Sequence, residues 1–195
     1  LENMPNVTMR TRMMGAGVND HGYALGYERM TDNLATSAAP RHRLWRIRTK
    51  QIITATGALE RPLSFAGNDI PGVMLAASLR DYVVNYGVSA GDRTVVVTIN
   101  DDAYRTALVL HDAGLHVPMI IDARPQGGGA LMEACKDKGI RGEKGKAIAK
   151  VKGGKRVQGI VLCAQAGEGG MLEEVACDAV AMSGGWSPVE HLWSH

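Results

Sequence analysis

The chain has 195 residues, 45% hydrophobic and 22% charged, which is enough for one substantial core or two modest ones and is ordinary for a folded globular protein. Its 22 Lys and Arg against 20 Asp and Glu give a net charge of +2, too balanced to suggest a nucleic-acid partner. No apolar run approaches the roughly 18 residues of a membrane helix and no signal peptide is visible, so the expectation is a cytoplasmic protein with no membrane partner.

Cys135, Cys163 and Cys177 lie far apart, with no C-x-x-C and no histidine at metal-ligand spacing, which predicts inert thiols and no metal site. The chain starts at Leu1 without an initiator Met and stops at His195 directly after an apolar stretch, which reads as a fragment.

Three short segments open the chain, at residues 7–11, 23–28 and 44–50. In the third, Trp45, Ile47 and Thr49 alternate with charges, a period of two that predicts an antiparallel meander with one wet face. Asp20, His21 and Gly22 suit its first turn, and residues 33–40 read as a loop. The basic cluster from Arg41 to Lys50 fits that wet face. The meander leads into Gln51-Ile-Ile-Thr-Ala-Thr-Gly57, read as a strand ending in a glycine turn.

Leu75, Leu79, Tyr82, Val83 and Tyr86 recur at helical spacing, and Gly87 stands where a C-terminal cap belongs. A strand over 94–99, a helix over about 102–113 stopped by Gly114, and a strand over 117–122 make a βαβ unit, whose crossover is expected to be right-handed. A third helix is predicted over about 130–138, stopped by Gly139. Segments 147–151 and 157–162 flank Lys152-Gly-Gly-Lys155, a hairpin pattern, and 177–183 reads as a further buried strand.

The βαβ unit is where a dinucleotide would bind, because the turn after its first strand must bring backbone N–H groups up to a pyrophosphate. Its three fingerprint positions fall on Thr98, Asn100 and Ala103, of which only Ala103 is acceptable. A side chain at the first hinders the tight turn, and one at the second fills the space of the phosphate. Asp101 and Asp102 add negative charge at the helix start, which suits an empty N-terminus. The site is therefore read as vestigial, and Asp122, at the ribose-acid position, as a solvated strand-end residue.

Thr54-Ala-Thr-Gly57 followed by Arg61-Pro62 has the form of the crossing by which enzymes with two dinucleotide domains leave the first one; Ser183-Gly-Gly-Trp-Ser-Pro188 has the form of the return. A purely structural turn fits either stretch as well. None of the six histidines sits in a triad or at metal spacing, so no catalytic residue is assigned.

Leu44-Trp-Arg-Ile-Arg-Thr-Lys50, Thr54 to Pro62, Ile70-Pro-Gly-Val-Met74 and Ser183 to Pro188 with His191-Leu-Trp-Ser-His195 together resemble the alpha subunits of heterotetrameric sarcosine oxidases, over essentially the whole chain. The resemblance implies an α/β fold of the FAD/NAD(P)-binding two-dinucleotide-domain type. Residues 1–62 would be part of a first dinucleotide domain, with the meander and the Ala-Thr-Gly strand. Residues 63–182 would be an inserted Rossmann-like βαβ domain with a degenerate glycine loop, and 183–195 a truncated return to the first.

It also implies a parent complex with beta, gamma and delta subunits that oxidises sarcosine. NAD would be held without catalysis by the alpha subunit, while FAD, FMN and tetrahydrofolate bind outside this stretch. Residues implied at the NAD site are Ala55, Thr56, Gly57, Gly184 and Gly185, with Met14 and Gly15 at the start of the meander. Since the first glycine fingerprint is absent from the chain, NAD is expected to bind weakly or not at all. A free-standing NAD(P)H-dependent reductase and an interaction module without nucleotide binding are the competing readings.

Overall fold

A computed structural model describes residues 4–165 and 170–192, which fall into two compact units. One comprises residues 1–58 with 188–195, the other 59–187. Trp193 to His195, from the last of the motifs quoted above, lie outside the described residues.

In the larger unit, seven runs build the frame: β5 (Val73–Leu75), α1 (Ala76–Tyr86), β6 (Thr94–Thr98), α2 (Asp102–Asp112), β7 (Met119–Asp122), α3 (Gly129–Asp137) and β8 (Arg141–Lys144). β9 (Lys146–Gly153), β10 (Val157–Ala164), β11 (Glu173–Val175) and β12 (Ala179–Ser183) follow. A parallel sheet forms in the order β5-β12-β6-β7-β8, and β9 to β11 form a separate antiparallel sheet.

The apolar runs are continuous because the parallel sheet is covered on both faces. Val96, Ile120 and Ala181 point to the helices and pack with Leu79, Tyr104, Leu110, Met132 and Cys135. Their neighbours Val95, Val97, Met119, Ile121, Val180 and Met182 point to the opposite face, onto Ile148, Val151, Ile160 and Leu162 of the antiparallel sheet. Strand alternation thus splits one run of β-branched residues between two cores. Full burial of each such side chain contributes roughly 1.5–3 kcal/mol.

The predicted stops hold for physical reasons. Gly87 takes φ 64°, and its N–H donates to Val83 O at 3.0 Å, closing α1. Gly114 and Gly139 adopt the same left-handed region after α2 and α3.

The smaller unit holds the meander: β1 (Met13–Asn19), β2 (Tyr23–Arg29) and β3 (His42–Arg48), antiparallel in that order. His21 and Gly22, both at positive φ, make its first turn. Two expectations fail here. Residues 7–11 are not a strand; β1 lies further on and pairs Met13 with Glu28. The meander also has more than one wet face, since Gly26 is its single buried residue among those described.

Residues 51–57 form no ladder, and Ile53 is 91% exposed. An apolar run alone cannot make a strand: its N–H and C=O groups need a neighbouring strand, and no described strand pairs with this segment. The short strands β4 (Ala58–Glu60) and β13 (Trp186–Pro188) pair where the chain crosses between the units.

Candidate functional site

The turn from β6 into α2 is held by its own side chains. Thr98, fully buried, accepts the Asn100 N–H at 2.9 Å and donates its hydroxyl to Asn100 O at 2.8 Å. Asn100 Oδ1 accepts the Asp102 N–H at 3.0 Å, and its amide nitrogen donates to Ser183 Oγ at 2.7 Å. The first free donor of the helix is therefore already satisfied, and the ends of β6 and β12 are tied together.

Asp101 turns the other way. Its Oδ1 accepts the Gly128 N–H at 2.9 Å and Arg124 Nη2 at 2.6 Å. These bonds, the guanidinium first, hold the Asp101 carboxyl below its ordinary range. Arg124 also donates Nε to Asp122 Oδ1 at 3.0 Å and Nη2 to Asp122 Oδ2 at 2.7 Å, while its backbone N–H reaches Oδ1 at 3.0 Å. Tyr104 donates its hydroxyl to Asp122 Oδ2 at 2.9 Å.

Asp122 has no exposed surface, which overturns the expectation of a solvated strand end. A carboxylate can be buried there because four donors, two of them from one bidentate guanidinium, replace its water. The same contacts push the Arg124 guanidinium up, Asp122 being the main cause. Desolvation, then Asp122, pushes the Tyr104 phenol well above the ordinary tyrosine value.

A dinucleotide at this turn would meet the protein's own charges. The helix start presents Asp101 and Asp102 instead of open N–H groups, with Asp102 paired to Arg80 at 3.0 Å. Both oxygens of Asp122 are engaged by protein donors, leaving a ribose hydroxyl to compete with Arg124 and Tyr104.

The implied cofactor residues lie elsewhere and divide into groups. Ala55, Thr56 and Gly57 line a cavity of about 390 Å³ with Thr54, Pro188, Val189, Glu190 and Leu192. Thr56 donates its hydroxyl to Val189 O at 2.6 Å, and the Val189 N–H donates to Gly57 O at 3.0 Å, so two chain segments form one wall. Gly57, at φ 76°, faces open space. Gly15 adjoins the same region: a Cβ there would lie 3.7 Å from Leu192 Cδ1. Met14 instead borders a different cavity, with Arg12, Met13, Tyr27 and Arg29.

Gly184 and Gly185 are placed against Arg61 and Pro62. The Gly184 N–H donates to Arg61 O at 2.7 Å, Gly185 O accepts the Arg61 N–H at 2.8 Å, and a Cβ on Gly184 would sit 2.6 Å from Pro62 O. Glycine there serves the close approach of two backbones.

Tyr104, Arg124 and Glu190 are not among the residues sequence reasoning selects. The spacing Asp122-x-Arg124 at a strand end is the one pattern that could have pointed to the ion pair.

No protein-family model matches the chain. It is 38% identical over 197 residues to the sarcosine oxidase subunit alpha of Rhizobium meliloti (strain 1021), covering 100% of this chain and 19% of that one. Over 192 residues it is 37% identical to the same subunit of Corynebacterium sp. (strain P-1), covering 95% of this chain and 19% of the other. The chain belongs to the sarcosine oxidase alpha-subunit family. It spans about a fifth of the length of the curated relatives it matches.

Solved structures bear out the expected fold of this alpha-subunit segment. Thioredoxin reductase from Lactococcus lactis superposes with a TM-score of 0.59 at 20% identity, covering 93% of this chain and 55% of the other. L-proline dehydrogenase from P. horikoshii gives 0.57 at 18% identity, covering 92% and 28%. The fold is that of the FAD/NAD(P)-binding oxidoreductases.

Proposed function

We propose that this chain is a non-catalytic, nucleotide-flanking segment of a sarcosine oxidase alpha subunit. The larger unit acts as a support, and cofactor contact falls to the Ala55-Thr56-Gly57 turn, with Met14, Gly15, Gly184 and Gly185 as further residues of the NAD region. The observation that carries this reading is the Asp101–Arg124–Asp122 bridge, which fills the inserted domain's nucleotide position with the protein's own charges.

In the parent enzyme sarcosine is demethylated oxidatively to glycine, with hydrogen peroxide and formaldehyde or methylene-tetrahydrofolate as the other products. FAD, FMN and tetrahydrofolate belong to parts of the complex outside this stretch, and the beta, gamma and delta subunits are the partners. NAD, when bound, is a resident group here and not a hydride source for the substrate. Identities of 37–38% to two subunits named sarcosine oxidase alpha support the parent assignment. A cytoplasmic setting fits these assignments, and none of the described helices is long and apolar enough to cross a membrane.

A free-standing NAD(P)H-dependent reductase would need the α2 N-terminus to hold a pyrophosphate, and Asn100, Asp101 and Asp102 oppose that. A comparison of the wild type with Thr98→Gly/Asn100→Gly tests this directly. Neither protein is expected to bind NADPH in equilibrium dialysis, because the Arg124 bridge persists in both. Wild-type binding at micromolar affinity would overturn the support role.

A further inference from the structure

The cavity beside the Ala55-Thr56-Gly57 turn has a lining whose chemistry selects one part of a nucleotide over another. The 54–57 turn and the 188–192 segment form its walls, and among the described residues no lysine, arginine or histidine lines it. Phosphate groups require cations or free N–H donors. The Val189 N–H is committed to Gly57 O and the Thr56 hydroxyl to Val189 O. Those two donors are spent, and no described lining residue offers a pyrophosphate a cation.

A nucleoside finds more. Pro188, Val189 and Leu192 offer apolar surface to a base, and about 390 Å³ is within the range of small-ligand cavities. Among the described lining residues Glu190 is the one charged side chain; it is exposed, and no described residue is bonded to its carboxylate. A carboxylate offers two acceptor oxygens, the complement of two vicinal hydroxyl donors, and it repels a phosphate on the same ring.

We propose that Glu190 binds the 2′,3′-diol of an unphosphorylated ribose in this cavity and so makes the site selective for nucleotides without a 2′-phosphate. The inference rests on the cofactor role proposed for the Ala55-Thr56-Gly57 turn and deepens it. Glu190 is a specificity residue, and Thr56 positions it by tying residue 189 to the turn.

The test is saturation-transfer NMR on the whole chain, wild type and Glu190→Ala, with adenosine, 2′-deoxyadenosine and adenosine 2′-monophosphate at millimolar concentration. Adenosine is expected to bind the wild type about tenfold more tightly than 2′-deoxyadenosine, the scale of a hydrogen bond to a charged group. Glu190→Ala should erase that ratio and admit adenosine 2′-monophosphate. Equal binding of the two nucleosides by the wild type, or a ratio that survives Glu190→Ala, overturns the diol inference alone. Absence of adenosine binding at any concentration overturns the cavity's cofactor role together with it.

Discussion

Tyr104 and Asp122 meet at 2.9 Å in the core of the larger unit, a phenol donating to a carboxylate that has no exposed surface. The pair lies under the start of α2, on the side of the βαβ unit where a dinucleotide domain keeps its ligand. Their contact explains why a charged residue survives at the end of an apolar strand.

Removing the hydroxyl isolates its value. Tyr104→Phe leaves Asp122 with one donor fewer and a packed ring unchanged, and should cost about 1–2 kcal/mol in urea unfolding. A cost near zero would mean that water reaches Asp122 and replaces the phenol.

Arg124→Ala strips Asp122 of its counter-charge and Asp101 of its principal partner. Breaking a buried pair from one side should destabilise by about 3 kcal/mol, well beyond Tyr104→Phe. The acid limb should flatten as well. Asp101's folded value lies below its ordinary one, so its stabilisation is present above the ordinary carboxylate range and fades as pH falls through the folded value. Without Arg124 that fading is lost, as a pH series of urea midpoints would record.

The alkaline limb has a different origin. Burial pushes the Cys135 thiol up to about 11 and the Cys177 thiol up to about 12, with Asp178 adding to the second. Tyr104 is raised for the same reason. For groups shifted upward, stability is complete below the unfolded value and lost above it, so the midpoint should fall steadily from about pH 9 upward. A thiol reagent at pH 8 should modify half-buried Cys163 first, and Cys135 and Cys177 at the rate of unfolding.

Gly128 offers a backbone test. It sits at φ 87°, and a Cβ would lie 2.6 Å from Met132 Cβ and 3.0 Å from the Tyr104 ring. Gly128→Ala should cost about 2 kcal/mol in thermal or urea unfolding and loosen the Asp101 contact to its N–H.

Much of the larger unit could be read from its residues. Helices α1 to α3 carry apolar spacing closed by Gly87, Gly114 and Gly139, and β6, β7 and β12 are continuous runs that only a doubly covered sheet can bury. Other elements were silent. β5 and β11 are three residues long, and β8, Arg-Gly-Glu-Lys, has no apolar pattern because it is an edge strand ordered by pairing with β7. Segment 51–57 misled for the opposite reason, reading as a strand while pairing with no described strand.

The site divides the same way. The degeneracy of the glycine loop was plain in Thr98 and Asn100, and the grouping of Ala55, Thr56 and Gly57 followed from one short motif. What could not be read was which distant side chains meet: Arg124 between Asp101 and Asp122, and Glu190 in the same cavity lining as Gly57. Tertiary pairing of charges leaves no periodic trace in a sequence.

The central claim is that the nucleotide position of the βαβ unit is closed by the chain itself and that what remains of an NAD site is weak. Calorimetric titration of the isolated chain with NAD and NADPH tests it most directly. The account predicts no binding at micromolar affinity for either; a micromolar dissociation constant for NAD or NADPH would contradict it.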